Sequence, residues 1–385
     1  MRRATRVLWA AAMVATMACH PSFAVDYVIV NNGNSIANSA TLYRLNTKVG
    51  KLAKVATLYA GGQAAGGEVY VGHIEQAVSA HAGCIFVFND GSSDIAAFSK
   101  ATSYRRVGRY FNADLIAGQY GGTLALSPGD QFLYASYAET GNIGVWTVKP
   151  DCTLALSSIY SDEHGVGPIA ITPNGKYLVE SSAQGSIALF RINRRNGGLT
   201  MLTSTGFETG VCARVGHCMP LGLDITKDST LVVSAASSTD VTHQHDIPVA
   251  LTARITPNGL MNPRSWPLKN SVNLAGATFP FFGASGYAGA GNLYFGVKSG
   301  GGYGAGVLTT NFTENPLKLN LSAANTIDPD VADIAVTGNV MVVAQPPDQI
   351  SVFRIQKDGS LKLLSTTIDK QAGGLFSLSI FPNTR

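Results

Sequence analysis

The stretch Pro168-Ile-Ala-Ile-Thr-Pro-Asn-Gly-Lys-Tyr-Leu-Val-Glu-Ser-Ser-Ala-Gln-Gly-Ser-Ile-Ala-Leu-Phe-Arg-Ile-Asn-Arg-Arg-Asn-Gly-Gly-Leu-Thr-Met-Leu202 decides how this chain folds. It reads as four short strands. Residues 169–172 form an apolar run stopped by Pro-Asn-Gly. Residues 177–181 form a second run, broken at Gln184-Gly185. Residues 187–192 alternate and turn at Arg194-Arg195-Asn196-Gly197, and residues 199–203 form the fourth run. Asn-Gly supplies the positive φ of a tight turn, and β-branched and aromatic residues suit a pleated surface. With no crossover helix, the four strands make one antiparallel meander.

The same grammar recurs along the chain. The innermost strand and its turn return at 124–134 (Leu-Ala-Leu-Ser-Pro-Gly-Asp-Gln-Phe-Leu-Tyr), 223–233 and 333–343. The third strand and its turn return at 143–148, 249–255 and 350–355. Pro128 and Pro173 lie 45 positions apart, and Thr172 and Thr226 lie 54 apart. A near-constant period with variable loops marks a repeat fold, in which each sheet buries its faces on its neighbours. Meanders of this size predict an all-β, seven-bladed β-propeller. Residues 26–31, 41–45 and 52–58 supply only three strands of the first blade. Residues 375–382 resemble an inner strand with nothing after it to complete a blade. The C-terminal strand is therefore expected to join the N-terminal blade and close the ring, which removes open edges. Blade two is expected to begin near Val69, interrupted by His73, Glu75 and His81. Blade five carries an insertion at 237–247.

Residues 1–24 read as a signal peptide: Arg2, Arg3 and Arg6, an apolar core over 7–17, then Ser22-Phe23-Ala24. Residues 25–385 are expected to form one propeller domain. The localisation expected is exported, periplasmic or secreted, with lipid anchoring at Cys19 as the minor alternative. No later stretch is long and apolar enough for a transmembrane helix. The 28 basic and 24 acidic residues come almost into balance once the leader is removed, which argues against nucleic acid as a partner. A small-molecule ligand and a monomer are expected. In an oxidising compartment disulfides are the default reading. Cys212 and Cys218 are the expected pair; Cys84 and Cys152 lie in neighbouring blades and are left open as a second pair or as buried small hydrophobes.

In such a ring, the loops between second and third strands and the blade-to-blade connectors share one face. That rim would collect Asn31–Asn34, Glu139, Glu163, His164, Arg214, His217, His243, His245, Asp246, Tyr303 and Asp348. Glu163-His164 could act as a general acid/base couple, or be an exposed connector. Arg214 and His217, held by a Cys212–Cys218 loop, could clamp an oxyanion. His243, His245 and Asp246 could hold a divalent metal, with solvated loop histidines as the plainer reading; no other cofactor is expected. Arg191, Arg254 and Arg354 recur near the ends of third strands, which suggests a role in blade structure. No nucleophile elbow, phosphate loop or dinucleotide fingerprint occurs.

The repeat, above all residues 169–179 with 187–192, 197–200 and 349–361, resembles the seven-bladed lactonase family, which includes propeller-type 6-phosphogluconolactonases and fungal carboxymuconate cyclases. The resemblance spans nearly all of the chain after the leader, and its motifs are structural. It implies lactone hydrolysis at the channel mouth. The family's catalytic residues do not map onto this chain residue by residue; the rim itself offers His164, then His217, as the base and Arg214 for the oxyanion. The chain departs from the family pattern where inner strands begin. The expected His-Pro is replaced by Gly122-Thr123, Gly167-Pro168 and Met219-Pro220. The alternative expectation is therefore a non-catalytic ligand- or protein-binding propeller of the cell envelope.

Overall fold

The computed structural model describes residues 26–64, 78–81, 83–118, 121–162, 167–182, 185–206, 212, 218–220, 222–238, 247–267, 280–288, 292–299, 306–314, 317–327, 331–371, 373–374 and 377–382. Among them, regular structure is strand apart from short helical turns. The strands form seven antiparallel sheets, numbered here in chain order. Sheet 1 has the order Ser377–Pro382, Asp26–Asn31, Ser39–Asn46, Lys51–Tyr59. Sheet 2 runs Val78–His81, Cys84–Asn89, Asp94–Ser99, Arg105–Phe111, and sheet 3 runs Leu124–Leu126, Phe132–Tyr137, Asn142–Val148, Leu154–Ser161. Sheet 4, the opening stretch, runs Ile169–Ile171, Tyr177–Ser181, Ser186–Ile192, Leu199–Gly206. Sheet 5 divides its inner strand into Cys218–Pro220 and Asp224–Ile225 before Leu231–Ser238, Ile247–Thr256 and Gly259–Pro267. Sheet 6 comprises Pro280–Ala288, Asn292–Ser299, Gly306–Glu314 and Leu317–Thr326, and sheet 7 comprises Asp333–Thr337, Val340–Gln345, Gln349–Ile355 and Leu361–Ile368.

The second and third strands read as almost continuous apolar runs because both of their faces are buried. In sheet 4, Leu178 and Phe190 pack with Tyr134, Ile143 and Val145 of sheet 3. Val179 and Leu189, one residue along, pack with Val232 and Leu251 of sheet 5. Period-2 alternation thus sends successive side chains into two different cores. Similar cores lie between sheets 1 and 2, 2 and 3, and 6 and 7. The last sheet also packs on the first, through Val340, Val342 and Val352 against Val28, Val30 and Tyr43. Fully burying one such Val or Leu side chain is worth about 1.5–3 kcal/mol, so each intersheet core outweighs the hydrogen bonds at its edges.

The chain ends meet as expected. Ser377–Pro382 pairs antiparallel with Asp26–Asn31, Ser377 opposite Asn31 and Pro382 opposite Asp26. Two of the recurrent arginines, Arg191 and Arg354, make structural contacts between sheets, as their repetition suggests. Arg191 donates to the carbonyl of Pro257 in the last hairpin of sheet 5. Arg354 donates to the carbonyls of Thr47 and Lys48 in the last hairpin of sheet 1. Each therefore clasps the following sheet.

Both cysteine pairs are bonded. Cys212–Cys218 closes a short loop, as expected. Cys84 and Cys152, whose pairing the sequence leaves open, form a second bridge with 5.4 Å between Cα atoms. It ties the start of the second strand of sheet 2 to the hairpin before the outer strand of sheet 3. The irregular start expected for sheet 2 resolves to Val78–His81; His73 and Glu75 lie outside the described residues.

Candidate functional site

In every sheet the second strand ends, the third begins and the outer strand ends on the same side. In sheet 4, Ile169, Glu180 and Ala188 stand in one row, with Ser204 opposite Ala188 on the outer strand. This side is the rim, and a layer of buried polar groups lies on it. Asn31, Asn32, Asn89, Ser181, Ser182 and Gln345, all near the ends of second strands, are buried.

Most of that layer is satisfied within the protein. Asn38 donates to Asn89, and Asn89 donates to Asp94 at 2.7 Å. Arg109 completes this cluster with a two-pronged grip on Asp94, Nε to Oδ1 at 2.9 Å and Nη2 to Oδ2 at 2.5 Å. Asn32 donates to Ser39 and Thr41. Amides and a paired ion matched in this way hold loops.

Two carboxyl groups behave otherwise. Glu180 is wholly buried, and neither of its oxygens makes a hydrogen bond of good geometry. Burial, and then the nearby Asp162 carboxylate, pushes its pKa well above the usual carboxylate range; the Gly167 N–H pulls the other way. Asp162 is itself buried on the connector from sheet 3 to sheet 4, and its N–H donates to the Gly141 carbonyl. Tyr160 on the adjoining outer strand is pushed up by burial and then by both acids. The backbone is tight here as well. A Cβ on Gly167 would stand 2.3 Å from the Ser181 carbonyl oxygen, so only glycine lets the connector pass. Gly122 meets the Ser136 carbonyl in the same way one sheet earlier.

The second group is Asp333, at the start of the inner strand of sheet 7. Its Oδ1 accepts from the Ile334 N–H and its Oδ2 from the Leu378 N–H, both at 2.7 Å. Burial outweighs these donors and pushes its pKa up to about 8, with a smaller push from Asp224 on the inner strand of sheet 5. Thr123 plays a similar part in sheet 3, where its Oγ1 accepts from the Ile169 N–H of sheet 4 at 3.0 Å. An inner strand is an edge strand, and half of its N–H groups have no ladder partner. A polar side chain on the preceding sheet takes one of them.

The residues expected to carry chemistry, Glu163, His164, Arg214, His217, His243, His245 and Asp246, lie outside the described residues. Their flanks are described. Asp162 and Gly167 bracket Glu163 and His164, and the Cys212–Cys218 bridge brackets Arg214 and His217. Glu139 and Asp348 lie on the rim as expected: Glu139 adjoins Gly118, and the Asp348 carbonyl accepts from the Asp369 N–H. Among the described residues no group of three or more His, Cys, Asp or Glu side chains is placed to hold a metal. Glu180 was not singled out from the sequence. Its signal was an acid on an otherwise apolar second strand, at a position whose neighbour two residues away, Leu178, is in the core.

No protein-family model matches the chain, and no curated protein matches it by sequence. Solved structures do. A candidate 6-phosphogluconolactonase from Bacteroides fragilis superposes with a TM-score of 0.67 at 15% identity, over 93% of this chain and 98% of that one. The periplasmic gluconolactonase of Pseudomonas aeruginosa gives 0.67 at 13% identity, over 93% and 99%. A protein of unknown function from Desulfotomaculum acetoxidans gives 0.61 at 14% identity, over 92% and 98%. The chain has a lactonase-like propeller fold. At such identities the likeness is one of fold, and the propeller's rim must be judged on its own residues.

Proposed function

We propose that this protein is an exported seven-bladed propeller, closed by the pairing of Ser377–Pro382 with Asp26–Asn31, that hydrolyses a small lactone at its rim. Residues 1–24 are its cleaved leader and the remainder one domain. What supports export is the pair of disulfides, which persist in oxidising compartments, together with the full-length likeness to a periplasmic gluconolactonase. What carries the activity is that same likeness joined to Glu163-His164, which follow the buried Asp162 in the chain on the connector from sheet 3 to sheet 4. In the proposed reaction His164, or failing it His217, takes a proton from water. The water oxygen bonds to the lactone carbonyl carbon, and Arg214 stabilises the oxyanion. The ring C–O bond then breaks, and its alkoxide takes up the proton, with Glu163 assisting the transfer. The ligand is a small lactone or sugar derivative, and the protein acts as a monomer.

The test is hydrolysis of a panel of sugar and aliphatic lactones by the mature protein. Loss of a general base lowers turnover by about 100-fold or more, so His164→Ala or His217→Ala should do so. Failure of the whole panel to turn over above buffer would favour the second reading, a non-catalytic binding propeller. That reading is supported by the residues that lead into the inner strands, Gly122-Thr123 and Gly167-Pro168, where the resemblance to the lactonase family implies His-Pro. A divalent metal at His243, His245 and Asp246 is a separate proposal. It predicts metal retained after dialysis and a thermal shift on adding zinc, manganese or calcium.

A further inference from the structure

Large apolar side chains are exposed on one side of the molecule more than on the others. Tyr59, Phe111 and Ile368 share a single position in sheets 1, 2 and 7: each stands on the outer strand, opposite the first residue of the third strand, at the rim end. They are 68%, 59% and 50% exposed. In sheets 3, 4 and 6 the same position holds Ser161, Gly206 and Thr326. Val55 and Leu363 are exposed further along the outer strands of sheets 1 and 7, and Ile36 on the loop that leads into Ser39. Single exposed apolar side chains are ordinary on a protein surface. These recur at one register in three sheets that pack side by side, 7 on 1 and 1 on 2, with neighbouring outer strands.

The charge on the same three outer strands is of one sign. They carry Lys362, Lys51, Lys54, Arg105, Arg106 and Arg109 and no acid. The outer strands of sheets 3 and 4 carry no charge at all. Part of the basic set is engaged: Arg109 grips Asp94, Lys54 lies 3.7 Å from Asp369, and Arg106 donates to the Ala60 carbonyl. Lys51, Arg105 and Lys362 are exposed and make no ion pair among the described residues. They stand towards the far ends of the strands from the apolar trio, opposite Asn46, Ser99 and Arg354. The exposed acids next along the chain, Asp114 and Asp358, lie in loops beyond the strand ends. The wall therefore offers cations along one end, apolar side chains along the other, and Val55 and Leu363 between.

We infer that the outer wall of sheets 7, 1 and 2 is a docking surface for an anionic lipid bilayer. Charge complementarity selects the occupant. A second copy of the chain would set these cations against one another. A strand added by a partner protein would meet a blunted edge, since a register shift interrupts the outer pair in all three sheets. A headgroup layer needs neither a groove nor a free strand edge. Lys and Arg reach its phosphates on long apolar stems, while Tyr59, Phe111 and Ile368 enter the boundary between headgroups and acyl chains. The inference is independent of whether the rim hydrolyses a lactone.

Co-sedimentation of the mature protein with vesicles tests it. One set of vesicles is phosphatidylcholine alone, and the other is equal parts phosphatidylcholine and phosphatidylglycerol. The protein should bind the second set and not the first, and added salt should weaken binding. The triple variant Lys51→Gln, Arg105→Gln, Lys362→Gln should bind about 100-fold more weakly, because each cation near such a surface is worth about five-fold. The triple variant Tyr59→Ser, Phe111→Ser, Ile368→Ser should lose about ten-fold or more. Arg106 and Arg109 are left in place because they hold the fold. Thermal unfolding checks that each variant folds, and if the apolar variant does not, the charge variant alone decides. Absence of binding, equal binding to the two sets of vesicles, or binding unchanged in the charge variant would overturn the inference. Binding through any segment before Asp26 would survive both variants and so would count against it. Self-association in sedimentation equilibrium, abolished by the apolar variant, would overturn it in favour of a second copy of the chain.

Discussion

Asp333 shows how much one side chain does in a sheet with an open inner edge. It accepts two backbone N–H groups, one from its own strand and one from Leu378 in the neighbouring sheet. Replacing it with Asn leaves one acceptor and turns an amide donor toward an amide donor. A buried polar group left unpaired costs about 1–3 kcal/mol, so Asp333→Asn should lose that much stability in guanidinium unfolding. Its titration sets a second expectation. An ordinary Asp titrates near about 3.9 in the unfolded chain, whereas burial holds Asp333 up to about 8 in the fold. Between those values the folded state keeps a proton that the unfolded state has lost. Stability should therefore fall as the pH rises through that window. Unfolding midpoints across the window test this. A flat profile in both wild type and Asp333→Asn would mean that Asp333 is ionised in the fold. None of this was legible beforehand: the sequence presents Asp333 as the first residue of a strand, and its partner Leu378 lies 45 positions on, in a different sheet.

At the scale of the element, the second and third strands were the easiest to read. Two-sided burial writes them as short apolar runs, and Pro-Asn-Gly or its equivalents punctuate them. Sheet 6 was harder, because the Gly-rich sequence between its second and third strands and its long strands dilute that pattern. The cross-sheet bridge Cys84–Cys152 could not be read at all. It requires that the base of one strand in sheet 2 abut a hairpin of sheet 3, which only the packing reveals. A bridge stabilises more when the loop it closes is longer. With a sequence separation of 68, this one should contribute about 4 kcal/mol on a chain-entropy argument. Cys212–Cys218, with a separation of 6, should contribute about 2 kcal/mol. Guanidinium unfolding of the two double Cys→Ser variants measures the difference, and equal losses would point to strain or residual structure instead. The arginine clasps belong to this scale too. Arg354 grips two carbonyls of the next hairpin, and a Lys at 354 would reach them only as a point charge. Arg354→Lys should therefore behave more like Arg354→Ala than like wild type in thermal unfolding.

For the whole molecule, the decisive contact is the antiparallel pairing of Ser377–Pro382 with Asp26–Asn31. Without it, sheet 1 exposes Asp26–Asn31 as a bare edge and the core between sheets 7 and 1 loses Leu378. A chain truncated before Ser377 should unfold at lower temperature and run as aggregate in size-exclusion chromatography. A soluble, equally stable truncation would show that the pairing is dispensable. The repeat and the meeting of the ends were legible because both follow from counting strands. The catalytic expectations on His164, Arg214 and His217 were legible only as residue types on a shared rim, since a connector's sequence does not record what it faces.

The joining of the first sheet by Ser377–Pro382 also sets a clock. During synthesis Asp26–Asn31 leaves the ribosome early, yet its partner strand arrives almost a whole chain later. At ribosomal speeds that wait is on the order of tens of seconds. For that interval the sheet stands incomplete, and only afterwards can the final, long-range zipping occur. The chain carries its most adhesive edge uncovered for all that time, which makes its yield a matter for the holding factors that meet it on the way.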